Sequence, residues 1–301
     1  MNGTFAELFE QAGCVGTVAA LRLDDSATTA LAADDLVTPA SVMKVQVALA
    51  ALDAVETGRL DGSARVRLSA GRRTPGPVGI SLLSDDVEMS LRDLVTLMLT
   101  ISDNVATDAV IAATGLDAVN GLTHGLGLEQ TCVTSDLASM FDTMAGEAGF
   151  SDYADLTAYE PVAGEKPSDV DVRTRLAHSS ALDPGRGSRT TARETVELLR
   201  RIWDDTAASP EACRQVRRSM SQQLTRHRIA SGFGPGVHVA AKSGGLMGVV
   251  RNEAGVVTGP EGRSVAVAVF TRTDPSRAAD ARAVDAAIGA VAALAVAQLA
   301  G

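Results

Sequence analysis

Period-two alternation of small apolar side chains is confined to the two ends of this chain, and the stretch between them is patterned mainly for helices. Near the N-terminus, Val15 to Leu23 and Thr28 to Ala33 read as strands joined by the polar turn Asp24-Asp25-Ser26. Near the C-terminus, three more strands are expected: Val237 to Lys242, Val249 to Val257 with a turn inside, and Ser264 to Thr271. In the last of these Val265, Val267 and Val269 alternate with alanine. The economical topology is one antiparallel sheet built from both termini, with flanking helices and an inserted all-α domain. The fold class expected is therefore α+β. Its discontinuous sheet domain comprises residues 1–35 and 228–301, and its helical domain residues 36–227.

The helices carry their own signals. Thr4 and Glu7 form a capping box for a short helix over 4–12. Ser90 opens another, in which Leu91, Leu94, Val95 and Met98 make one apolar stripe. Further helices are expected over Val105 to Thr114, ending at Gly115, and over Asp136 to Ala145, Thr191 to Asp204 and Ser209 to Leu224. Asp274-Pro275 is read as the start of a long terminal helix. The Gly-, Pro- and Arg-rich segment from Asp61 to Asp86 is read as surface loop, and 146–188 as extended loop with short helical pieces.

Composition removes several functions. Aromatics are only 3% of the 301 residues, so the core must be built from Ala, Val and Leu. A net charge of −10 argues against nucleic acid as a partner, because phosphate binding needs clustered positive charge. Cys14, Cys132, Cys213 and the four histidines lack metal-ligand spacing, so no metal and no cofactor are expected. The run Ala286 to Ala300 is mostly alanine and short for a span, which argues for a packed helix and no membrane partner. No basic segment followed by an apolar core opens the chain, so a cytoplasmic protein is expected, or an exported one if the chain is a processed form.

Only three residues are lysine, Lys44, Lys166 and Lys242, among 27 Lys and Arg. Lysine can lose its proton when desolvated, whereas arginine effectively never does. Lys44 follows Ser41 by three positions, within Thr38-Pro39-Ala40-Ser41-Val42-Met43-Lys44. On a helix that spacing puts hydroxyl and amine on one face. In the first turn, unpaired N–H groups favour developing negative charge. This is the pattern of a serine nucleophile with a lysine that helps remove its proton. An ordinary surface Ser and Lys would look the same.

Two further motifs follow in order, Ser102-Asp103-Asn104 and Lys242-Ser243-Gly244. Singly, the first reads as a capping turn, the second as a strand end and Arg251 as a surface strand residue. Jointly, the three motifs resemble the set found in class A β-lactamases and penicillin-binding proteins, over essentially the whole chain. Arg251, nine residues beyond Lys242, and the segment Arg189-Thr190-Thr191-Ala192-Arg193-Glu194 add to the resemblance. It implies that Ser41 forms an acyl-enzyme with an amide or lactam carbonyl, with Lys44 as base or electrostatic support. Ser102 would relay the proton to the leaving nitrogen, and Asn104 would hold the substrate amide and Lys44. The backbone N–H groups of Ser41 and Gly245 would form the oxyanion hole. Lys242, Ser243, Gly244 and Arg251 would bind the carboxylate of a small-molecule substrate.

The pattern departs from class A where deacylation is carried. There a glutamate of the omega loop acts through a water. Here 140 residues separate Ser102 from Lys242, more than in class A, and the excess falls within an enlarged region of about 116–188. The Glu-x-x-Leu-Asn pattern is absent. Tyr159-Glu160-Pro161 is similar to the local aromatic-Glu-Pro form, although Gly164 stands where the family has Asn, so Glu160 is the candidate base, ahead of Glu147 and Glu165. The resemblance implies a serine hydrolase for which β-lactam ring opening is the activity to assay. The alternatives are a slowly deacylating peptidase or esterase of the penicillin-binding type and a non-catalytic homologue that binds a carboxylate ligand.

Overall fold

A computed structural model describes residues 4–159, 169–275 and 280–300. Five strands form one antiparallel sheet: β1 (Cys14–Arg22), β2 (Thr28–Leu31), β5 (His238–Leu246), β6 (Val250–Thr258) and β7 (Ser264–Thr273). Their order is β2-β1-β7-β6-β5, so the N-terminal hairpin joins the C-terminal meander through β1 and β7. The expected assembly of the sheet from both chain ends is what forms.

Alternation then decides what covers each face. Val18, Ala20, Val267 and Val269 point to one side and pack with α1 (Phe5–Gln11) and α11 (Ala281–Gln298). The other side carries Ala19, Leu21, Ala268 and Phe270 into a larger core shared with the helices between the two sets of strands. The expected capping box of α1 is present, with Thr4 accepting from Glu7 N. At the centre lies α2 (Lys44–Glu56), buried on nearly every side as its all-round apolar sequence requires. Around it pack α3 (Leu91–Thr100), α4 (Asn104–Thr114), α5 (Leu116–Gly125) and α10 (Pro210–Ser221). The remaining helices are α6 (Leu137–Ala148), α7 (Tyr153–Ala158), α8 (Asp169–Ala177) and α9 (Ala192–Trp203). Thr191 caps α9, accepting from Glu194 N, and its apolar stripe lies on β1 and β7.

Four local expectations are corrected. The 61–86 segment is not all loop, because β3 (Arg65–Leu68) pairs with β4 (Val87–Ser90) in a two-stranded sheet at its ends. β5 does not stop at Lys242 but runs through Ser243, Gly244 and Gly245 to Leu246. β6 contains no turn at Gly255: a Cβ there would lie 2.3 Å from the Ala240 carbonyl oxygen, so this glycine permits close strand approach. Finally, α11 is capped by Asp280, not opened by Asp274-Pro275.

Candidate active site

Ser41 sits in a 3-10 turn, Ala40–Met43, that runs directly into α2. It is therefore one turn ahead of the α-helix proper. Ala40 has φ +48°, a left-handed conformation that costs a non-glycine residue roughly 1–3 kcal/mol and persists only where the surroundings enforce it. The enforcing contacts are visible. Asn252, fully buried on β6, donates through Nδ2 to the carbonyl oxygens of Thr38 at 2.9 Å and Pro39 at 3.2 Å. Thr38 Oγ1 donates to Leu182 O at 2.8 Å. Gly244 closes against the same turn, where a Cβ would lie 2.8 Å from Pro39 O and 3.0 Å from Ser41 N. Only glycine admits that approach.

Lys44 is fully buried, and its Nζ donates to Ser102 O at 2.7 Å, Ser102 Oγ at 3.2 Å and Asn104 Oδ1 at 2.8 Å. The first two motifs thus converge on one amine. Burial pulls the Lys44 pKa down to about 7, a shift opposed by the negative charges of Asp103 and Asp108. A comparable share of the amine is then neutral at neutral pH, as a proton acceptor requires. Ser102 has φ +63°, and Asp103 beside it is the N-cap of α4, accepting from Ala106 N at 2.9 Å. The other oxygen of Asp103 accepts from Ile80 N at 2.7 Å. Asn104 is oriented by its Nδ2, which donates to Pro75 O at 2.8 Å.

The third motif lies on β5. Lys242 is fully buried and its pKa is pushed well below the ordinary lysine value, first by burial and then by the charge on Lys44, while Glu253 opposes the shift. Beside it, Gln223 accepts from Ser243 N and donates to Glu253 Oε1 at 3.0 Å. Glu253 also accepts from Ile229 N at 2.6 Å, and burial raises its pKa. Arg228 Nη1 donates to Gly244 O and Asn252 O, each at 2.7 Å, and its Nε to Asp285 Oδ1 at 2.8 Å. Arg251 gives Nε and Nη2 to the same Asp285, at 2.8 and 2.5 Å. Its planar fork is thus engaged inside the protein.

Ser41, Asn104 and Gly245 share a cleft with Met140, Phe141 and Leu246, among others. The α6 side of that cleft is anchored by Asp108, which accepts from Thr74 Oγ1 at 2.6 Å, Leu137 N at 2.8 Å and Ala138 N at 3.0 Å. Its pKa is raised, chiefly by burial. Of the candidate bases, Glu160 and Glu165 lie outside the described residues. Glu147 is engaged elsewhere: Ser179 Oγ and Ser180 Oγ each donate to it at 2.5 Å, and Ser180 N at 2.7 Å. These bonds hold its pKa below the usual carboxylate range. Among the described residues no group of three His, Cys, Asp or Glu side chains is placed to hold a metal ion.

Asn252, Glu253, Gln223, Arg228 and Asp285 are the residues that sequence reasoning passed over. One signal pointed at two of them. Asn252 and Glu253 follow Arg251 as consecutive polar residues in a strand that is apolar from Ala254 to Val257, and buried polar groups need partners.

A family model described as "Beta-lactamase enzyme family" matches residues 3–299 of the chain. The beta-lactamase regulatory protein BlaB of Streptomyces cacaoi is 28% identical over 246 residues, which are 78% of this chain and 77% of that protein. Among solved structures, a beta-lactamase from Sphaerobacter thermophilus is similar at TM-score 0.74 and 26% identity, over 99% of this chain and 98% of the other. A mutant of PBP-A, in an acyl-enzyme complex with penicillin G, shares the fold at TM-score 0.73 and 21% identity, over 98% and 94% of the two chains.

Proposed function

Because the chain belongs to the Beta-lactamase enzyme family, we propose that it is a serine hydrolase in which Ser41 forms an acyl-enzyme with an amide or lactam. One observation carries this reading most. Lys44, buried and with its pKa drawn down to about 7, is held between Ser102 and Asn104 one turn after Ser41. Neutral Lys44 accepts the Ser41 proton as Oγ attacks the carbonyl carbon. The N–H groups of Ser41 and Gly245 stabilise the tetrahedral oxygen, and Lys44 passes the proton on through Ser102 Oγ, 3.2 Å away, to the leaving nitrogen as the carbon–nitrogen bond breaks. A substrate carboxylate is drawn by Lys242 and Ser243, since an incoming anion favours the charged lysine. Arg251, already engaged with Asp285, stands opposite Gly245 on the neighbouring strand and would have to leave Asp285 to bind that carboxylate directly.

A second reading is favoured by the character of the cleft. Leu137, Met140, Phe141 and Leu246 form one side of the cleft, and among the described residues no carboxylate lines it to activate a hydrolytic water. That supports rapid acylation followed by slow release, as in a penicillin-binding peptidase or esterase.

One experiment separates these readings. The protein is incubated with a chromogenic cephalosporin and a penicillin, and colour and intact mass are followed over time. Continuing colour identifies a β-lactamase. A lasting adduct that disappears in Ser41→Ala identifies the slow acylating class. Neither colour nor adduct would sink both penicillin-related readings and leave ligand binding without chemistry. If the protein turns over, acyl-enzyme accumulating in Glu160→Gln assigns the base, and unchanged turnover removes Glu160 from the mechanism.

A further inference from the structure

Arg214, Arg217 and Arg218 stand three and four residues apart on α10, so they share one face of that helix. The face borders an open groove of about 420 Å³, which is also lined by His238 on β5, the edge strand of the sheet. Arg226 and Trp203 line it too. Four guanidinium groups thus meet in one place on a chain whose net charge is −10. Two carboxylates answer them: Glu211 pairs with Arg214, and Asp205 with Arg217 at 2.6 Å. Among the described residues the Arg218 side chain has no hydrogen bond or ion pair. Arg226 donates to a backbone carbonyl, Val239 O, at 2.8 Å, which leaves its charge uncompensated. Four guanidinium groups against two carboxylates leave the groove with a surplus of two positive charges.

We propose that this groove binds a compact anion that carries two or more negative charges on phosphate or carboxylate groups. Arg218 and Arg226 supply the uncompensated charge, and planar guanidinium forks suit the paired oxygens of either group. Two of the arginines are fixed beforehand. Arg226 is tied to β5 through Val239 O, and Arg217 Nη1 donates to Ile202 O as well as to Asp205. Each guanidinium has five N–H donors, so both keep several for a guest, and side chains already ordered lose less freedom on binding. The volume is that of a small-molecule site. A long polyanion would leave the groove and meet the acidic remainder of the surface, so the guest is compact. None of the residues lining this groove lines the Ser41 cleft, so the site is separate from the proposed chemistry.

Trp203 is the only tryptophan in the chain, so its fluorescence reports on this groove alone. The test titrates the full-length protein with inorganic triphosphate and, separately, with citrate, each at an ionic strength held constant with sodium chloride. A saturable change in emission is expected, with a midpoint that rises when the total salt is raised. The tighter of the two arms tells a phosphate guest from a carboxylate one. Arg218→Glu should weaken binding at least about ten-fold. Arg65→Glu, on the exposed strand β3, should leave it unchanged. A response in both arms no larger than that to sodium chloride would overturn the site. So would wild-type binding in Arg218→Glu, or equal losses in the two variants. None of these readouts depends on acyl transfer.

Discussion

A Cβ on Gly244 would stand 3.0 Å from the amide nitrogen of Ser41, so the strand carrying Lys242 and the turn carrying Ser41 meet backbone to backbone. That contact is set by main-chain atoms, and it has a direct consequence for substitution. In Gly244→Ala the new methyl also faces Pro39 O at 2.8 Å and Val42 N at 3.1 Å, none of which can rotate away. Acylation by a fluorescent penicillin should slow at least about ten-fold, the equivalent of roughly 1.4 kcal/mol. Wild-type labelling rates in the variant would show that the turn yields and that the contact is not needed.

The lowered pKa of Lys44 gives a signed pH profile. Below about 7 the amine is protonated in both folded and unfolded chains; above it, the folded amine is neutral and able to accept the Ser41 proton. The acylation rate should therefore rise through a midpoint near 7. Asn104 Oδ1 accepts from the ammonium and favours its charged form, so Asn104→Ala should move the midpoint to lower pH. A midpoint that stays in place would detach the profile from Lys44. Between the folded value and 10.5 the unfolded chain holds the extra proton, so this lysine's contribution to stability becomes more favourable as pH rises through that window.

Asp108 ties the start of α6 to Thr74 through three donors. Asp108→Ala should destabilise the protein by about 2 kcal/mol, because three donors lose their acceptor in a largely buried site. Chemical denaturation would measure the loss. A wild-type midpoint would mean that water replaces the carboxylate without cost.

Glu147 offers a contrast between a structural and a catalytic carboxylate. Its pKa is held down by Ser179 and Ser180, so its stabilisation is present above the unfolded carboxylate value and fades as pH falls through the folded one. Glu147→Ala should lower the melting temperature more at neutral than at acidic pH. The lifetime of the acyl-enzyme should not change, and a lengthened lifetime would return Glu147 to the chemistry.

What the sequence disclosed follows the range of the interactions involved. Caps such as Thr4 with Glu7, or Ser90 ahead of Leu91, are completed within four residues and were legible. The alternating valines of β7 announced a strand because period two is a local property. Lys44 and Asn104 lie 60 positions apart, yet the motif set placed both residues, and the 2.8 Å bond between them joins the two motifs. By contrast β3 and β4 each show only four residues of pattern, and their pairing spans a loop that reads as irregular. The Arg228–Asp285–Arg251 cluster was invisible for the same reason. Arg228 precedes a 3-10 turn, Arg251 lies on β6 and Asp285 on α11, so they meet only once these parts have assembled, and each looks alone like a surface charge.

The two lysines among the described residues, Lys44 and Lys242, are both fully buried. Positive charge on the described exterior is therefore carried chiefly by guanidinium groups, which amine-directed reagents do not modify. Such a reagent can reach either lysine only when the interior opens. Its rate of attachment at these two positions, read by peptide mass, becomes a clock for local opening, with the folded protein supplying its own pair of concealed reporters.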